Sequence, residues 1–304
     1  MQDIKSVGGL ADSASQDSFC SGGTCTITKI YDQSGNGNDL EPCGTGGSAK
    51  SAADNPASAT ALKTTLNGHA VYGILIQSGI GYRQGCASCA NKTGKGTATG
   101  DKPETTYMVT SQKDYNNGCC FDYGNAETTL HDDGNGTMDA VYFGGGSAWG
   151  TGSPGGHNNG PWVMADSENG LYAGWENNQD QNISTNKPLK FDYVTAILVG
   201  DSCTGATGCA GTGTAHPNGR FALYGGDATS GTLVTEWDGT RPYQPGRTGY
   251  VPMRKEGSII LGTGGDNSNG ATGRFYEGVM ASGAATLTTL NALQANIVAA
   301  KYGK

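Results

Sequence analysis

Short apolar runs broken by turn-forming residues constrain this chain most. Thr26–Tyr31, Val71–Ile76, Thr106–Thr110, Met138–Phe143, Trp162–Ser167, Leu171–Ala173, Tyr193–Val199, Arg220–Tyr224, Ser258–Leu261 and Phe275–Met280 are rich in β-branched or aromatic residues and bounded by Gly, Asn, Asp and Ser. That pattern predicts strands joined by tight turns. No helical pattern alternates with them, so an all-β sandwich of concanavalin or jelly-roll type is expected rather than a parallel-sheet fold. The 52 glycines follow no Gly-X-Y period, which excludes collagen. Residues 12–20 read as a short capped helix. Leu287, Leu290, Leu293, Ile297 and Val298 recur at helical spacing and predict a closing helix on the sandwich. Stretches 43–60, 84–104, 175–190 and 201–219 read as loops. With no linker or internal repeat, residues 1–304 are read as one domain.

Only 15% of residues are charged and the net charge is −8. A nucleic-acid partner would need a basic patch, so that class is excluded, while a neutral ligand such as a sugar is compatible. No apolar run is long enough to span a bilayer. A monomer is expected.

Nine cysteines point to an oxidising compartment and a secreted protein. Cys20/Cys25, Cys86/Cys89, Cys119/Cys120 and Cys203/Cys209 are close in sequence, and Cys43 is left over. Local pairing of Cys86 with Cys89 and of Cys203 with Cys209 is inferred from spacing alone. Zinc competes at Cys86-Ala-Ser-Cys89, but no second pair with that spacing and no His cluster follow, so no metal site is expected. Cys119 and Cys120 are adjacent. A bridge between neighbours closes a tiny ring and constrains almost no chain entropy, so it would serve a ligand site better than it would staple a fold. Each could also be free or pair elsewhere. Sequons at Asn91, Asn135 and Asn182 agree with secretion. The N-terminus lacks a signal-peptide h-region, as expected of a start trimmed from a longer secreted chain.

Along Gly160–Gly170, strand alternation puts Val163, Ala165 and Ser167 on the core face. Trp162, Met164, Asp166 and Glu168 then share the other face. Two carboxylates at i and i+2 raise each other's pKa, as active sites require, although a solvated strand end has the same pattern. In Ile259–Gly270 an apolar strand runs into a glycine-rich turn that presents Asp266. Taken alone, that turn reads as an Asx-rich hairpin. Glycoside hydrolysis needs two carboxyls flanking one bond, and Glu168 and Asp266 could meet across a sandwich with Trp149, Trp162 or Trp175 walling a sugar. His131-Asp132-Asp133-Gly134-Asn135-Gly136 lacks the closing Glu of a calcium loop and reads as a turn. Residues 31–39 also read as an ordered turn. His69, His131, His157 and His216 are scattered and suggest neither a metal site nor a triad.

Four runs carry a resemblance: Tyr31–Leu40, Cys119–Thr128, Trp162–Gly170 and Gly264–Gly270. With Phe275–Met280 and Gln294–Ala300, they resemble, in order, the catalytic domain of glycoside hydrolase family 54. The resemblance implies a retaining, exo-acting α-L-arabinofuranosidase with a β-sandwich, acting without a cofactor on arabinose side chains of arabinoxylan or arabinan. It implies Glu168 as nucleophile and Asp266 as acid/base. Asp166, Asn169, Trp149 and Gly265 would line the arabinose pocket. Cys119 and Cys120 would form a vicinal disulfide against the sugar, and Cys20 and Cys25 a second short bridge. Ser167 departs from the larger apolar residue common in the family, which is expected to loosen the strand carrying Glu168. The family's earlier N-terminal segment and its C-terminal arabinose-binding module are not matched in this sequence. The rival expectation is a lectin-like sandwich that binds sugar without catalysis.

Overall fold

The computed structural model describes residues 1–46, 52–84, 92–145, 160–175, 186–201, 219–242 and 248–304. Two sheets, of seven and five strands, dominate. Their strands in chain order are β1 Leu40–Glu41, β2 Tyr82–Gln84, β3 Glu104–Thr110, β4 Asp122–Ala126, β5 Asp139–Gly144 and β6 Trp162–Asp166, then β7 Leu171–Tyr172, β8 Val194–Gly200, β9 Arg220–Asp227, β10 Val234–Thr240, β11 Ser258–Leu261 and β12 Glu277–Ser282. The first sheet runs β7-β6-β5-β4-β11-β2-β1 and the second β10-β9-β8-β3-β12. Every pairing within them is antiparallel.

The core lies between the sheets. Val141, Phe143, Val163 and Ala165 of the first meet Met108, Ala196, Leu198 and Phe221 of the second. Each is buried, and a fully buried Val, Leu or Phe contributes about 1.5–3 kcal/mol. Residues 162–168 are buried on both faces: Trp162 and Met164 join the same core as Val163 and Ala165, so the alternation expected there does not separate a core face from an open one. The outcome at Ser167 also differs from expectation. Ser167 is buried, its hydroxyl donates to the Met138 carbonyl at 3.2 Å, and its own carbonyl accepts from Tyr250 Oη at 3.1 Å. These bonds hold the strand end where a larger apolar group was expected.

The core also contains a polar island. Lys255 Nζ lies 3.1 Å from Asp139 Oδ2, both side chains 1% exposed. Asn125 Nδ2 donates to Glu104 Oε2 at 3.0 Å. Burial pushes Glu104 up to about 8.

Two helices flank the sandwich. α1, Ser13–Cys20, is capped by Asp12, which accepts from the Ser15 N–H at 3.1 Å. α2, Leu287–Ala299, buries Leu290 and Ile297. Leu290 packs on Ile197, Val199, Ala222 and Tyr224, so the helix covers the outer face of the five-stranded sheet. Among the described residues, no helix is long and apolar enough to cross a membrane.

Thr26–Tyr31 was expected as a strand but makes only isolated bridges, Thr26 to Ser58 and Ile30 to Leu40. Val71–Ile76 divides at Gly73 into His69–Tyr72 and Ile74–Ile76, which pair with different partners. Cys20–Cys25 and Cys119–Cys120 are bridged. Cys43, left over by sequence spacing, is disulfide-bonded as well. Cys86, Cys89, Cys203 and Cys209 lie outside the described residues.

Candidate active site

Strand β6 ends at Asp166, and the chain turns at once into β7. Ser167 N–H donates to the Gly170 carbonyl at 2.9 Å, and Glu168 and Asn169 take φ of +48° inside that turn. Glu168 N–H donates to Asp166 Oδ1 at 3.0 Å. The turn aims the Glu168 side chain at the loop 131–136. There Gly134 N–H meets Oε1 at 2.6 Å, while Asn135 and Gly136 N–H meet Oε2 at 2.9 and 2.6 Å. The stretch weighed as a calcium loop is therefore a backbone nest for a carboxylate. Burial raises the proton affinity of Glu168, the nest lowers it, and the nearby Asp132 charge raises it. Asn169 donates through Nδ2 to Asp132 Oδ1.

The opposite wall follows β11. Its loop folds back through Gly264 N–H to the Ser268 carbonyl, 2.9 Å, and presents a half-buried Asp266. Oδ1 of Asp266 accepts from Ser268 N–H at 2.9 Å and from its hydroxyl at 2.5 Å. The Asx turn expected here exists, and it also faces a cleft. The loop lies on the vicinal disulfide: a Cβ at Gly264 would sit 3.1 Å from Cys120 Sγ and 3.5 Å from Cys119 Sγ.

Glu168, Asp266, Asp166, Asn169, Gly265, Cys119 and Cys120 line one cleft of about 320 Å³. Seven of the eight expected site residues thus converge, and Trp149 lies outside the described residues. Beneath them lie two acids that the sequence reading missed. Asp122 opens β4 and is fully buried. Burial first, then the charge of Asp166, holds its carboxyl well above the usual range. Glu127 lies just past β4 and is equally buried. Their signal was present, since both fall in Cys119–Thr128, but it was read for its cysteines. A site with one carboxylate bound by three N–H donors and another on the facing wall can support nucleophilic attack with acid/base assistance.

Comparison with known proteins agrees with this geometry. The family described as "Alpha-L-arabinofuranosidase B, catalytic" matches residues 1–303. An alpha-L-arabinofuranosidase B of Emericella nidulans is 48% identical over 301 residues, covering 98% of this chain and 52% of that protein. An alpha-L-arabinofuranosidase of Hypocrea jecorina is 48% identical over 297 residues, covering 97% and 53%. The chain spans about half the length of the curated relatives it matches. A crystal structure of an arabinofuranosidase complexed with arabinofuranosyl-alpha-1,2-xylobiose superposes with a TM-score of 0.82 at 44% identity, covering 99% of this chain and 56% of that one.

Proposed function

The chain belongs to the alpha-L-arabinofuranosidase B catalytic family, and on that premise we propose that it is a retaining, exo-acting α-L-arabinofuranosidase. The observation that carries the reading is the shared cleft of Glu168 and Asp266, with three backbone N–H groups on the Glu168 carboxylate. Glu168 attacks the anomeric carbon while Asp266 gives its proton to the leaving oxygen. The glycosidic bond breaks and a covalent arabinosyl-enzyme forms. Asp266, now ionised, takes a proton from water, whose oxygen displaces Glu168. Asp166 and Asn169 bind sugar hydroxyls beside Gly265, and Cys119–Cys120 offers an apolar, polarisable wall. The scheme uses no cofactor.

Substrates are arabinose side chains of arabinoxylan or arabinan. The relative bound to arabinofuranosyl-alpha-1,2-xylobiose supports that class. Action outside the cell, as a monomer, is part of the proposal, and the bridged cysteines support an oxidising compartment.

The test is release of arabinose from an aryl α-L-arabinofuranoside, compared with Glu168→Gln. The parent is expected to turn over and the variant to lose at least about 1,000-fold in kcat. A parent that binds arabinose yet releases none would refute the enzyme.

A further inference from the structure

Glu127 is 0% exposed, and among the described residues neither of its carboxyl oxygens has a hydrogen-bond partner on another residue. It nevertheless lines the cleft that holds Glu168 and Asp266. A Cβ added to Gly265 would land on the Glu127 carboxyl. The backbone that carries Asp266 therefore rests directly on this side chain.

An ionised carboxylate in that position needs a compensating charge. Among the described residues, the cation facing it is Arg83 of β2, itself buried. Arg83 turns its guanidinium to main-chain carbonyls: Nη1 donates to Gly265 at 2.5 Å, and Nη2 to Thr129 at 3.1 Å and to the carbonyl of Glu127 itself. Against it stand Asp122 from β4, Asp166 from β6 and Glu168 from the β6–β7 turn. A bound metal does not fit. Among the described residues, the one group of three close metal-ligating atoms is Cys119, Cys120 and Asp166, and its two sulfurs form a disulfide. Among the described groups, a proton is the remaining way to neutralise Glu127.

We propose that Glu127 is a positioning residue: an uncharged carboxylic acid that supports the Gly265–Asp266 backbone and fixes Asp266 against Glu168. Burial, and then the charge of Glu168, holds its proton affinity well above the usual range. The arrangement serves the reaction. A neutral acid fills the space under Gly265 without adding a negative charge beside Glu168, which must itself ionise. Arg83 ties the same two segments through their carbonyls. The role assumes the arabinofuranosidase reading, but its main test does not.

That test is an infrared difference spectrum in D2O near neutral pH between the parent protein and Glu127→Gln. The parent is expected to show a protonated-carboxyl stretch that the variant lacks. Loss of a carboxylate band instead would overturn the proposal. If the Gln variant does not fold, Glu127→Asp keeps the acid in a shorter chain and is expected to shift the same band. An unshifted band overturns the assignment.

Kinetics supply the second arm, with an aryl α-L-arabinofuranoside as probe. Glu127→Ala frees the Gly265 backbone, so kcat is expected to fall about 100-fold with KM changed less than about threefold. Glu127→Gln removes no charge, so the acid limb of its pH profile should stay in place. Movement of that limb to lower pH would mean that a negative charge was lost and would overturn the proposal. If the parent releases no arabinose, the enzyme reading fails while the infrared result still decides the state of Glu127.

Discussion

The backbone N–H of Gly136 lies 2.6 Å from Oε2 of Glu168, the shared contact of the proposed nucleophile and a loop more than thirty residues away. It opposes the effect of burial, which raises the proton affinity of Glu168. Burial remains the larger influence, so the acid limb of kcat/KM should lie above the ordinary glutamate range.

Asp132 offers a way to move that limb. Its charge raises the Glu168 proton affinity, and its carboxylate accepts from Gly134 N–H at 3.2 Å and from Asn169. Asp132→Asn keeps an acceptor oxygen and removes the charge. The acid limb should move to lower pH. A pH–rate profile checks this, and an upward shift would contradict it.

The vicinal disulfide should matter for binding more than for folding. It joins neighbouring residues, so its loss frees almost no chain entropy. It also backs Gly264 and lines the cleft. Replacing Cys119 and Cys120 with Ala should raise KM about tenfold, since one apolar contact is worth ~1–3 kcal/mol. The unfolding midpoint should move by less than about 2 °C. Equal loss of both would return the pair to a structural role.

Glu104 links stability to pH through the core. An unperturbed glutamate loses its proton near 4.5, whereas the folded protein holds it to about 8. Between those values the folded state binds the extra proton, so this group lowers stability as pH rises. The slope is at most about 1.4 kcal/mol per pH unit. Glu104→Gln removes it, so the variant should gain on the parent as pH rises from 5 to 8. Urea unfolding at several pH values measures the difference. A constant difference would contradict the buried, protonated reading.

The strands along 162–168 and 258–261 were legible because their apolar content marks them. β4 was not. Asp122, Gly124 and Asn125 are poor strand formers by composition. They serve as strand because Asn125 binds Glu104 and Gly257 inside the core, while Asp122 approaches Asp166 at the site. Thr26–Tyr31 erred the other way, since its β-branched residues find only isolated bridges. The 131–136 loop was read by its acidic side chains, yet it acts through N–H groups, which sequence patterns do not display. The family resemblance supplied the partner of Glu168. Periodicity alone gave no reason to bring Asp266 across the sheet. Glu127 stayed hidden because burial, which defines its role, follows only from the fold.

Covalent labelling tests the central claim most directly. The protein is treated with a mechanism-based arabinofuranosyl electrophile, digested, and the modified residue is located by mass spectrometry. One arabinosyl equivalent on Glu168, absent in Glu168→Gln, is the result this account predicts. A label on Asp266 or on any other residue, or turnover that yields inverted arabinose with no label, would contradict it.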